Sequence, residues 1–217
     1  LQSNAVIICL SLYAGFLLTR SLLPKFYKFL PCDRGREFSI HAETAKGKPT
    51  GAGVVFITIF VIIALIFAPM NTMQIAIVIL TWITMLTGFL DDKSLKGWGE
   101  YRKALLDLLI CLAATAVMLF LRKGGIKQEI LFWLPFASKQ IEVHPVVFIL
   151  VSTSLLWASI NTTNCTDGVD GLSGTLVLLG LSTMGVIFYF ILGHKDIAEY
   201  LLIPAMANGA SWAIITF

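Results

Sequence analysis

Of 217 residues, 57% are hydrophobic and 13% charged, with a mean hydropathy of +0.85; soluble domains carry roughly a quarter charged residues, so an ordinary water-soluble fold is excluded. Sixteen Lys plus Arg against thirteen Asp plus Glu leave a net charge of +3, too small a bias to argue for nucleic acid. The apolar residues must face lipid or one another, and the expected fold class is an all-α polytopic membrane protein.

Roughly 20 apolar residues cross a bilayer as a helix. By that rule, spans are predicted near 3–23, 52–68, 73–90, 103–121, 145–162, 171–193 and 198–217, about seven in all. The first lacks a basic n-region and a small-residue cleavage site, so it reads as a retained span and not a signal peptide. Spans two and three come from one charge-free run, Pro49 to Leu90, which Pro69-Met70-Asn71-Thr72 divides into a hairpin. Ile130 to Val143, with Trp133, Pro135 and alternating polar positions, is expected to form an interfacial hairpin. Phe217 falls inside an apolar run, and the expectation is one membrane domain over 1–217, incomplete at its C-terminal end. Cys9, Cys32, Cys111 and Cys165 are widely spaced and are read as free thiols.

Lys and Arg favour cytoplasmic loops. With the N-terminus outside, the inner ends hold Arg20, Lys25, Lys28, Arg34, Arg36, Lys46, Lys48, Lys93, Lys96, Arg102 and Lys103. The outer loops hold only Arg122, Lys123, Lys127, Lys139 and Lys195. This orientation puts three polar segments on the cytoplasmic face: Lys46 to Gly53, Asp91 to Lys96, and Asn161 to Gly171.

Asp91 and Asp92 fall where a helix already exposes carbonyls and a partial negative charge. A divalent cation would relieve that conflict, and carboxylates with substrate phosphates suit Mg²⁺; a solvated acidic turn beside Lys93 and Lys96 is the plainer alternative. Asn161, Asn164, Asp167 and Asp170 recur every three residues and would share one face of a helix. Clustered amides and acids beside lipid are costly without a polar ligand. Asp170 also suits the cap of span six, which accounts for neither asparagine. Lys46, Lys48 and Thr50, before Gly51 and Gly53, suit phosphate or a nucleobase, or a positive-inside anchor; the segment is not a Walker A loop. Arg102 and Lys103 read as headgroup anchors. Asp107 either pairs with Lys103 at i,i+4 or faces a polar cleft. His41, His144 and His194 lie in separate loops and form no triad.

Gly88-Phe-Leu-Asp91-Asp92 and Asn161-x-x-Asn164-x-x-Asp167-Gly-x-Asp170-Gly-Leu172 resemble the two signatures of the polyprenyl-phosphate N-acetylhexosamine-1-phosphate transferases, in order and on the expected face. Leu23-Pro-Lys-Phe-Tyr-Lys-Phe-Leu30, Arg36, His41, Lys46-Gly-Lys-Pro-Thr-Gly-Ala-Gly53 and Thr166 resemble the branch whose donor carries a muramoyl-pentapeptide. That branch usually reads Lys-Gly-Thr-Pro-Thr-Met-Gly-Gly. Here Lys48 replaces Thr and Gly51-Ala52-Gly53 replaces Met-Gly-Gly, while the lysine after the paired aspartates is Lys96 or Lys93.

The resemblance implies a ten-helix fold, of which a further metal-binding Asp and a His-rich loop lie beyond this chain. It implies a Mg²⁺-dependent transfer of phospho-MurNAc-pentapeptide from UDP-MurNAc-pentapeptide to undecaprenyl phosphate, giving lipid I and UMP at the cytoplasmic face of the bacterial inner membrane. Asp91, Asp92 and Asp167 are the implied catalytic residues, with Asp92 and Asp167 on the metal. Lys46, Thr50, Lys96, Asn161, Asn164 and Asp170 are the implied substrate contacts. A homodimer is entertained and nucleic acid is not expected. The rivals are a sister enzyme using UDP-GlcNAc, a cation-coupled transporter with Asp107 on its path, and a noncatalytic scaffold. The one-sided clustering of polar residues disfavours the transporter.

Overall fold

The computed structural model describes residues 2–32, 47, 49–68, 70–94, 97–121, 129–133, 140–166, 172–191 and 193. They form helices α1 (Gln2–Phe26), α2 (Gly53–Phe67), α3 (Thr72–Lys93), α4 (Glu100–Phe120), α5 (Pro145–Thr166) and α6 (Leu172–Val186), the last continued by a π turn at Ile187–Ile191. Strands β1 (Leu131–Trp133) and β2 (Gln140–Glu142) pair antiparallel with Phe132 opposite Ile141, which bears out the expected hairpin. Each of the first six predicted spans coincides with one helix; the seventh, 198–217, lies outside the described residues. Three helices, Thr72–Lys93, Glu100–Phe120 and the Pro145–Thr163 part of α5, are long and apolar enough to cross a membrane. The chain divides into two compact units: Leu1–Pro69, Met85–Gly97 and Thr166–Phe217 form the first, Met70–Thr84 and Trp98–Cys165 the second.

Local chemistry sets the helix ends. Ala68 precedes Pro69, whose ring disfavours helical geometry at the residue before it, and Ala68 is extended (φ −91°, ψ 127°), so α2 stops at Phe67. Asn71 and Gln74 open α3 with a reciprocal capping box: each side-chain oxygen accepts the other's backbone N–H, at 2.9 and 2.8 Å. Pro145 occupies the first position of α5, where its missing N–H costs nothing. Three helices outrun the hydropathy signal at their C-terminal ends. α1 continues past 23 to Phe26, α3 past Leu90 to Lys93 and α5 past 162 to Thr166, because backbone hydrogen bonding persists after the apolar run ends.

In the first unit, Val55, Ile59 and Ile63 of α2 lie four residues apart and pack on Leu23 of α1. Ser11, Gly15, Thr19 and Leu23 of α1 are buried at the same spacing, the small-residue ridge by which membrane helices approach closely. In the second unit, α4 buries Asp107, Cys111, Thr115 and Leu119 and exposes Leu105, Leu108, Leu109 and Leu112. This inverts the soluble pattern, as lipid requires. Thr115 donates to Leu112 O at 3.0 Å, so the proton in its 2.8 Å contact with Thr153 of α5 comes from Thr153.

The loop after α1 is tied back to α3 inside the first unit. Cys32 and Pro49 form an antiparallel bridge. The N–H and hydroxyl of Thr50 both donate to Pro31 O, at 2.7 and 3.1 Å. Gly51 follows with φ +71°, and a Cβ there would sit 3.1 Å from Phe89 Cδ2 and 3.4 Å from Pro31 Cγ. Only glycine meets both the backbone and the space at this position.

Two outcomes follow for the protein in detergent. Gly51→Ala should cost more than the roughly 1–2 kcal/mol of left-handed backbone strain that Gly47→Ala (φ +90°, nothing within 4 Å of an added Cβ) would incur alone. Equal losses in thermal unfolding would show that Phe89 does not constrain Gly51. A Thr115→Val and Thr153→Val double-mutant cycle should give a coupling of about 0.6 kcal/mol, the usual worth of an interhelical hydrogen bond in lipid; zero coupling would remove that bond from the account.

Candidate active site

Asp91 and Asp92 occupy the last turn of α3, Asp91 half-buried and Asp92 exposed. The turn ends at Ser94, whose N–H reaches the carbonyls of Leu90 and Asp91, both at 3.1 Å, and whose hydroxyl donates to Asp91 O at 2.8 Å. That closure meets part of the carbonyl demand and leaves two neighbouring acids at the negative end of the helix dipole. Lys93 in the same turn carries its ammonium 5.9 Å from the centroid of the Phe89 ring. The Phe89 ring therefore lies beside Gly51 and within cation–π range of Lys93. The acid pair and the mouth of α2 are joined through Phe89 within one compact unit.

The second signature begins in α5. Asn161 is half-buried and its Nδ2 donates to Trp157 O at 2.8 Å. The helix continues through Asn164, three residues later, to Thr166. Both asparagines belong to the second unit. Lys46, Lys96, Asp167 and Asp170 lie outside the described residues, as do His41 and His194. His144 sits ahead of α5, where its Nδ1 accepts the Val146 N–H at 3.3 Å. Thr50 gives both of its protons to Pro31 O, so its observed part is to anchor the loop that carries Gly51.

Arg102, expected as a headgroup anchor, stacks over Trp98 with its guanidinium carbon 4.5 Å from the ring centroid. Asp107 is 6% exposed, on the face of α4 that carries Cys111 and Thr115. Cys9, Cys32 and Cys111 are free thiols. Among the described residues no three His, Cys, Asp or Glu side chains assemble into a metal site. The donors that are described, adjacent hard carboxylates at the negative end of a helix, fit a divalent cation by charge and by ligand type.

Reading residues in isolation passed over Phe89, Pro31 and Trp157. A tryptophan inside an apolar span was a usable signal, because its indole N–H needs a partner there; Trp157 Nε1 donates to Ala104 O of α4 at 3.0 Å.

Comparison with known proteins is consistent with this arrangement. The family described as Glycosyl transferase family 4 matches residues 74–217, well over half of the chain. A protein of Treponema pallidum (strain Nichols) named phospho-N-acetylmuramoyl-pentapeptide-transferase is 48% identical across the whole chain, which spans 59% of that relative's length. Proteins of the same name from Aliarcobacter butzleri and Campylobacter curvus are 30% and 29% identical, over 99% and 94% of the chain and 63% and 60% of their own lengths. The matched range includes the paired aspartates and the asparagine segment, and the chain belongs to glycosyl transferase family 4.

Proposed function

We propose that the protein transfers phospho-MurNAc-pentapeptide from UDP-MurNAc-pentapeptide to undecaprenyl phosphate at the cytoplasmic face of the bacterial inner membrane, forming lipid I and UMP. One observation supports this reading: Phe89, two residues before the Asp91–Asp92 pair, lies beside Gly51, so the acid-bearing turn and the described end of the glycine-bearing segment share one locality. The names of the relatives supply the substrate class.

In this account an oxygen of the lipid phosphate attacks the donor phosphorus that bears the sugar. A new P–O bond forms, the bond to the uridylyl phosphate breaks, and its electron pair leaves on UMP. The acceptor phosphate is largely ionised near neutral pH, so no strong general base is needed. Asp91 orients the acceptor at the end of α3. Asp92 and Asp167 would hold Mg²⁺, which supplies neutralisation of the donor diphosphate. Asn161 and Asn164 offer amides to the diphosphate from the last turns of α5, and Lys46 and Lys96 offer cations to its oxygens. Thr50 keeps the Lys46–Gly53 loop seated, and Asp170 addresses the nucleotide.

The full-length protein in membranes should release UMP when given UDP-MurNAc-pentapeptide and undecaprenyl phosphate. Release with UDP-GlcNAc alone would overturn the donor assignment and favour the sister enzyme. Asp92→Asn and Asp167→Asn should each lower turnover by at least about 100-fold, the scale of losing one preorganised electrostatic partner, with folded yield retained; near-normal turnover would remove that residue from the chemistry. EDTA should abolish UMP release and added Mg²⁺ restore it, whereas release unaffected by chelation would end the metal proposal.

A further inference from the structure

We infer that Trp157 is a positioning residue that sets the asparagine end of α5 through two linked hydrogen bonds, an inference that rests on the proposed transferase reading. Its indole Nε1 donates to Ala104 O of α4 at 3.0 Å, and its own carbonyl accepts Nδ2 of Asn161 at 2.8 Å. Both acceptors are helix carbonyls with a second lone pair, so each bond is added without displacing the backbone ladder. The first fixes where α5 stands against α4. The second fixes the rotamer of Asn161, because donation through Nδ2 turns the amide oxygen away from Trp157 O. Asn161 lies one helical turn beyond Trp157, and Asn164 about 10 Å further along the axis than Trp157.

Another bond between these helices joins Thr115 and Thr153, on the far side of Trp157 from the asparagines. The indole bond lies between that contact and the signature. Without it, the last two turns of α5 lose this tie to α4, while the i−4 contacts of Asn161 and of Thr163, whose hydroxyl donates to Ser159 O at 2.7 Å, persist within the helix. Fraying or swivelling of that end then displaces both amides from the donor phosphates.

The test uses the full-length protein in nanodiscs with Trp157→Phe, which keeps a ring and deletes the N–H, together with Asn161→Ala and the double variant. Hydrogen exchange should rise in the segment 158–166 of Trp157→Phe and stay unchanged in α2. UMP release should show kcat lowered about five- to tenfold, the worth of one hydrogen bond, with KM for the donor changed less than kcat. The double variant should lose less than the product of the two single losses, because Asn161 is one of the two amides that the indole bond positions. Unchanged exchange in 158–166, or losses that multiply in the double variant, would overturn the inference. A wild-type protein that releases no UMP would instead defeat the transferase reading, and the exchange measurement would still decide whether the indole bond holds the helix end.

Discussion

Hydrocarbon offers a backbone or side chain no hydrogen bonds, and each unsatisfied polar group there costs several kcal/mol. The chain meets this constraint in two ways. Thr58, Thr81, Thr84, Ser154, Ser159 and Thr163 return their hydroxyl protons to the carbonyl four residues earlier in their own helices. Thr115 with Thr153, and Trp157 with Ala104, use the interface between α4 and α5 instead. No buried side-chain nitrogen or oxygen among the described residues is left without a partner. With the spans so settled, carboxylates and amides collect at helix ends, where water and polar ligands can reach them. Asp107, buried in α4, is the exception among the described acids.

Placement at an end is not by itself a site. Beside the Asp91–Asp92 turn stands the segment that leads into α2. Thr50 is bonded twice to Pro31, and this delivers Gly51 against Phe89 in a backbone conformation that other residues adopt with strain. The Phe89 ring also receives Lys93.

Much of this was legible in the sequence, and for a physical reason: the hydropathy that places a segment in lipid is a property of that segment alone. Six predicted segments coincide with helices, three of them among the described residues long and apolar enough to cross a membrane, and α1, α3 and α5 run three or four residues past their predicted ends. The Asn71 and Gln74 cap and the Pro69 break are likewise local signals. Contacts between helices were not legible. The partner of Trp157 lies 53 residues earlier, and that of Gly51 lies 38 later. The inward stripe of α4, with its Asp, Cys and Thr, becomes readable only once lipid is known to cover the leucines. Asp167, Asp170, Lys46 and Lys96 were legible as a pattern of charge and amide spacing and belong to segments outside the described residues.

The proposed function requires the turn after α3 and the end of α5 to open to the same side of the membrane. Substituted-cysteine labelling decides it most directly. In the full-length protein with Cys9, Cys32, Cys111 and Cys165 replaced by serine, Glu100→Cys and Thr162→Cys provide exposed thiols near the two segments. A membrane-impermeant maleimide should label both in inverted vesicles and neither in right-side-out ones. Labelling of the two positions from opposite sides would separate the aspartates from the asparagines and contradict the account.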